Sequence, residues 1–151
     1  MAHPTHHHRV INYDLDAGDV IELNDLFQAN VDYLNVISHY VSQVLSRHLS
    51  NQAMLTIGIA PQAENFKNWN IKPNGILFTF DEYQVAPYAE GMQTVLVPYA
   101  ILKPLMSADS PLLNCVRHPK RCRNSNLLTG GFIDTVINLR HRTLNPIFSK
   151  K

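Results

Sequence analysis

The run Ile76-Leu77-Phe78-Thr79-Phe80 is β-branched or aromatic at all but one position, and only Thr79 is polar. An extended segment of this kind has almost no face fit for water. It belongs in the middle of a sheet beneath a covering layer, and that need organises residues 68–106. Ahead of it, Trp69 and Ile71 lead into Lys72-Pro73-Asn74-Gly75, a turn in which proline presets φ and glycine accepts the left-handed position. Beyond it, Thr94-Val95-Leu96-Val97 reads as a further strand. Pro98 then opens a short helix carrying Tyr99, Leu102 and Leu105, and Pro104 limits its length. Residues 81–91 cannot be regular throughout, because Pro87 breaks the pattern and Gly91 ends it.

The cover is supplied by residues 31–49. Val31, Leu34, Ile37, Val41, Val44, Leu45 and His48 recur at three- and four-residue steps and form one stripe of a helix. Asn30 is placed as its N-cap, Asp32 suits the positive end of the helix dipole, and Arg47 and His48 suit the negative end. His39 and His48 are too far apart on this helix to share a metal and read as surface residues. Earlier, Ile11, Tyr13 and Leu15 alternate with Asn12, Asp14 and Asp16, predicting a strand with its apolar side buried. A turn at residues 16–19 returns the chain through Val20, Ile21 and Leu23, and Asn24-Asp25 caps a short turn carrying Leu26 and Phe27. Leu55, Ile57 and Ile59 alternate as a short strand would, and residues 63–66 suit one helical turn. The expected fold is α+β, a small antiparallel sheet covered on one face by a long helix.

At 151 residues, 45% hydrophobic and 17% charged, the chain has the composition of one soluble globular domain. No apolar run approaches the ~20 residues of a membrane helix, and the N-terminus lacks the apolar core of a signal peptide. The net charge of +1 hides a division. Up to Met106 five Lys/Arg face ten Asp/Glu, a balance of −5; from Ser107 onward eight face Asp109 and Asp134, a balance of +6. The break suggests a domain over residues 1–106 and a basic C-terminal extension over residues 107–151. Within the extension, residues 132–137 read as a strand preceded by a break at Gly130-Gly131. Such a tail can contact nucleic acid, as in an intracellular protein, or an anionic surface, or it can pack back on the acidic part or stay solvated; of these, no nucleic-acid partner is expected.

Motifs that would carry chemistry are sparse. Cys115 and Cys122 permit a loop disulfide, yet their spacing fixes neither pairing nor compartment. With His118 between them the pattern lacks a fourth ligand and matches no standard zinc spacing. His3, His6, His7 and His8 would bind transition metals weakly even unfolded, and the same tract resembles a purification tag. Neither a nucleophile elbow, a phosphate loop nor a zinc-protease motif occurs. Asp81 and Glu82 are adjacent, so in a strand they point to opposite faces and cannot flank one glycosidic bond. No catalytic residue, metal or cofactor is assigned. Tyr83, Tyr88 and Tyr99, with Gln84, are the candidate binding residues, since rigid rings beside a loop can anchor a partner. The competing reading packs these rings into the core with their hydroxyls bonded to backbone.

Several segments together resemble one family. They are Ala2-His3-Pro4, Asn12-Tyr13-Asp14-Leu15 with Gly18, Leu23 with Asp25-Leu26-Phe27, Phe80-Asp81 with Tyr83-Gln84-Val85-Ala86-Pro87-Tyr88-Ala89 and Gly91, and Val97-Pro98-Tyr99 with Leu102. The order is similar to the bacterial domain of unknown function that ends the extracellular region of the RsiV anti-sigma factor. A related domain lies outside the catalytic part of the peptidoglycan deacetylase PdaC. The resemblance covers residues 2–106 and is most specific over residues 80–91. It implies an arrangement like a small subdomain of heat-shock-cognate ATPases, without their nucleotide site. It also implies an extracytoplasmic setting and no catalysis. In RsiV this region receives lysozyme, and binding licenses proteolysis. The resemblance thus implies a non-catalytic cell-envelope binding module for lysozyme or a wall component such as peptidoglycan; the alternative is an accessory domain of a polysaccharide-modifying enzyme. In the family the Ala-His-Pro segment follows earlier strands, whereas here it follows Met1. That predicts missing N-terminal strands and a sheet edge open to homodimerisation.

Overall fold

A computed structural model of the protein describes residues 9–131 and 135–138. The order is β1 (Ile11–Asp14), β2 (Asp19–Val20), α1 (Tyr33–Leu45), α2 (Gln52–Gly58), β3 (Trp69–Lys72), β4 (Gly75–Phe80), β5 (Gln93–Pro98), α3 (Tyr99–Leu102), α4 (Leu113–Arg117), β6 (Leu127–Gly131) and β7 (Thr135–Asn138). The class is α+β, with every strand pair antiparallel. Two sheets are present where one was expected, in the orders β3-β4-β5 and β2-β1-β6-β7.

The first sheet forms around the apolar run as the sequence requires. β4 lies between β3 and β5, with Phe78 opposite Trp69 and Val95, and Ile76 opposite Ile71 and Val97. Ile76, Phe78 and Phe80 are wholly buried. Phe66, from the 3-10 turn Ala63–Phe66, meets Phe78 and Phe80 edge-on at centroid distances of 5.5 and 6.0 Å, the geometry that aromatic quadrupoles favour. Helix α1 packs against β5 and buries Ile37, Val41 and Leu45. It begins later than the stripe suggests. Asp32 is the N-cap, accepting from the Asn35 amide at 3.2 Å, whereas Asn30 takes φ of 63° and turns the chain into it. His39 and His48 are exposed.

Three local expectations are overturned. The alternation at Leu55, Ile57 and Ile59 belongs to a helix: Asn51 caps α2 through the Met54 amide at 2.9 Å. Leu55, Gly58 and Ile59 face the core while Ile57 is 75% exposed, which a strand would not allow. In β1 the inward face is the polar one. Asn12 is buried, Tyr13 is half-buried and Leu15 lies beyond the strand at 39% exposed. Gly130 and Gly131 do not break the chain but lie in β6, with Gly130 opposite Ile11.

Asn12 turns inward because the two sheets meet through polar groups. The Asn12 amide donates to the Trp69 carbonyl at 2.8 Å and its Oδ1 accepts from the Thr129 hydroxyl at 2.7 Å. Thr129 Oγ1 accepts from the Ile71 backbone amide at 3.1 Å and from Asn70 Nδ2 at 3.0 Å. Asn70 Nδ2 also donates to the Gly130 carbonyl at 2.7 Å. Asn12, Asn70 and Thr129 are all buried. Side chains from β1 and β6 thereby satisfy backbone groups on the outer edge of β3, which would otherwise be an orphaned buried edge.

The charge break at Met106 is not a break in packing. Leu112, Cys115, Val116, Cys122 and Leu127 share one core with the residues before them, and β6 pairs with β1 over four residue pairs. Cys115 and Cys122 form a disulfide, and both are fully buried. Periodicity could not attach this segment, because its attachment runs through a disulfide and a buried polar junction. Of the strand expected at residues 132–137, Thr135–Asn138 is present as β7 and residues 132–134 lie outside the described residues.

Candidate functional site

Residues 81–91 form a connection fixed at both ends. At its start the Gln84 backbone amide donates to the Asp81 carbonyl at 3.0 Å and the Gln84 side chain accepts from the Asp81 amide at 3.1 Å. The same side chain donates to the carbonyls of Gly58 and Asn65 at 3.0 and 2.9 Å. Both amide donors and the acceptor of Gln84 are therefore used internally. At the far end the Glu90 carboxylate accepts from the Ser50 backbone amide at 3.2 Å and from the Ser50 hydroxyl. Gly91 has φ of 72° and ψ of −174°, a conformation confined almost to glycine.

This frame carries two tyrosines, one exposed and one half-buried. Tyr83 takes φ of 67°, uncommon for a bulky side chain, and is 41% exposed. Its ring stacks on that of half-buried Tyr88, with centroids 5.8 Å apart and planes 29° off parallel. Of the four residues selected from sequence, the structure brings these two together as a surface ledge. Gln84 is the strut beneath them rather than a contact residue. Tyr99 is elsewhere and buried, its hydroxyl donating to the Lys72 carbonyl at 2.6 Å. Burial pushes the Tyr99 phenol well above its ordinary pKa. It holds the turn between β3 and β4, the core-packed arrangement that competed with a binding role for this ring.

A second concavity of about 480 Å3 is lined by Glu22, Asn24, Tyr33, Glu64, Lys67 and Trp69, among others. Tyr33 stacks on Phe27 at 4.3 Å, and partial burial raises its phenol pKa. Lys67 pairs with Glu64 at 3.0 Å on the surface, a contact of little energetic weight. Residues 22–24 and 63–69 are far apart in sequence and share no spacing pattern, so nothing in the sequence pointed to this groove. Among the described residues no three His, Cys, Asp or Glu side chains stand together as a metal site. The N-terminal histidines lie outside the described residues. No helix among the described residues is long and apolar enough to cross a membrane.

Comparison with known proteins gives partial relatives. The chain is 31% identical over 101 residues to the peptidoglycan-N-acetylmuramic acid deacetylase PdaC of Bacillus subtilis, covering 65% of this chain and 22% of that enzyme. It is 26% identical over 105 residues to the immunogenic proteins MPB64 of Mycobacterium bovis and MPT64 of Mycobacterium tuberculosis, covering 70% of this chain and 46% of each relative. The chain thus spans less than half the length of these relatives. A crystal structure of a DUF3298-family member from Bacteroides fragilis is similar over 67% of this chain and 40% of its own, with a TM-score of 0.46 and 18% identity. The profile of the family described as "Protein of unknown function (DUF3298)" matches residues 24–100, and the chain belongs to that family.

Proposed function

We propose that this domain is a non-catalytic binding module of the cell envelope that takes its partner on the Tyr83–Tyr88 ledge. The observation carrying this reading is the stacked pair itself, two rings on a loop anchored by Gln84 and Glu90. Pre-ordered aromatic side chains lose little entropy on binding and are frequent anchors of both protein and glycan contacts. The similarity to part of PdaC supports a setting at the wall. The buried Cys115–Cys122 disulfide supports an oxidising compartment outside the cytoplasm. The resemblance of residues 80–91 to the lysozyme-receiving domain of RsiV makes lysozyme the first protein to test, with soluble peptidoglycan fragments beside it.

Isothermal titration of the chain with each of the two is the direct measurement. Binding to one of them, weakened by about 30-fold in the Tyr83→Ala/Tyr88→Ala double variant, is expected if these rings are the anchors. No heat with either ligand at high micromolar concentration overturns the reading. A second reading, an accessory domain of a polysaccharide-modifying enzyme, is favoured by the similarity to a deacetylase of which this chain spans only 22%. It predicts peptidoglycan binding without lysozyme binding. Acetate released from peptidoglycan by this chain alone would show that the domain is itself catalytic.

A further inference from the structure

The disulfide closes a short loop in which three of the five outward residues are cationic. Between Cys115 and Cys122 the chain reads Val116-Arg117-His118-Pro119-Lys120-Arg121. Val116 is buried with both sulfurs, and the other five residues are exposed. Arg117, Lys120 and Arg121 make no side-chain hydrogen bond or ion pair among the described residues, although the part of the chain up to Met106 carries a balance of −5. Asp109 is the one acidic residue between Met106 and Cys122. The loop is also held tightly from within: the His118 amide donates to the Asn114 carbonyl at 3.0 Å and the Arg121 amide to the His118 carbonyl at 2.7 Å. Its three permanent charges are thus gathered on one short loop, with no ion pair to any of them among the described residues.

We propose that the loop at residues 117–121 is a binding site for a linear phosphate-bearing polyanion other than nucleic acid, separate from the Tyr83–Tyr88 ledge. The tip has no apolar residue to insert into a bilayer, which disfavours a lipid surface. The buried disulfide supports an oxidising compartment, where nucleic acid is not the common polyanion. Two arginines can take phosphate oxygens bidentately, while Lys120 adds charge. Binding of this type is driven by release of counterions, and three neutralised phosphates give a loss of about 20-fold in affinity between roughly 50 and 200 mM salt.

Long-chain inorganic polyphosphate is the probe, titrated into the full chain and followed by fluorescence anisotropy of labelled protein. Micromolar binding with that salt dependence is expected. Loss of at least about 10-fold is expected in the Arg117→Gln/Lys120→Gln/Arg121→Gln variant. Because these side chains are exposed and unpartnered, the variant should keep the wild-type melting temperature. Lys67→Gln/Lys103→Gln removes two exposed cations elsewhere and should leave binding nearly unchanged. Equal binding by wild type and loop variant overturns the proposal, as does equal weakening by both variants. Tighter binding to phosphatidylglycerol vesicles or to single-stranded DNA than to polyphosphate at matched charge also overturns it. Each of these outcomes is independent of whether lysozyme or peptidoglycan binds the ledge.

Discussion

Gly58 is where the ledge is most exposed to a single methyl group. A Cβ built on Gly58 lies 2.0 Å from the carbonyl oxygen of Gln84, 2.7 Å from its carbonyl carbon and 3.0 Å from Val85 Cγ1. Ordinary C···O contacts lie at about 3.3–3.6 Å, so the loop must retreat by more than about 1 Å. The obstruction is backbone and cannot swing aside. A retreat breaks the bond from Gln84 to the Gly58 carbonyl and strains the one to Asn65. It also draws Val85 and Ala86, 1% and 2% exposed, out of their packing. Overpacking of about 1–3 kcal/mol and about 1 kcal/mol for the hydrogen bond oppose a helix-propensity gain of at most ~1 kcal/mol. Gly58→Ala should therefore cost about 1–3 kcal/mol and lower the melting temperature by roughly 2–12 °C. Circular dichroism supplies both readouts, thermal unfolding in the far ultraviolet and the tyrosine signal of the displaced ledge in the near ultraviolet. In a helix end free of this contact the same substitution is neutral or stabilising. A variant melting at or above the wild type would therefore show that the loop does not rest on α2 as described.

Other parts of the frame give equally direct tests. Thr129→Val leaves Asn12 Oδ1 and the Ile71 amide without their partner. A fall in the urea-unfolding free energy of about 2–4 kcal/mol is expected, with Thr129→Ser recovering most of it. Tyr99→Phe removes one of the two donors to the Lys72 carbonyl, which stays paired with Gly75 across the hairpin, and should cost about 0.5–1.5 kcal/mol at neutral pH. The Tyr99 phenol is raised in the fold, so its proton-linked stability is whole below the unfolded value of 10.0 and is lost as pH rises beyond it. Removing the phenol should flatten the alkaline limb of a stability-against-pH curve, and an unchanged limb would assign that limb to other groups. Cys115→Ser/Cys122→Ser opens the short loop and should lower stability by about 2–3 kcal/mol by chemical denaturation, as should full reduction of the unaltered chain.

The first sheet was legible because its signals are local. Residues 76–80 must be central, residues 72–75 must turn, and the stripe of α1 must cover something apolar. What escaped was whatever depends on a distant partner. Leu55, Ile57 and Ile59 fit a period of two as well as a period near four over so short a stretch, and the Asn51 cap with exposed Ile57 decides it. Asn12 looked like the wet face of β1 because its partners, Trp69 and Thr129, are 57 and 117 residues away. Residue types alone singled out Tyr83 and Tyr88 as candidates, and the structure adds that their rings stack. Separating them from Gln84 and Tyr99 required knowing that the latter two bond to backbone at residues 58, 65 and 72.

The bond between Asn12 and Thr129 also sets a timetable. Everything α1 needs from β5 is present once residue 98 has been made, whereas β1 must wait for β6 near residue 131. At about 5–20 residues per second, a chain emerging N-terminus first carries β1 without that partner for roughly 5–25 s. Forming the β1–β6 pair then closes a loop of more than a hundred residues in one step, the slow kind of contact in small domains. Completion of the second sheet therefore depends on how fast residues 127–131 are delivered, not on how fast the hydrophobic centre collapses.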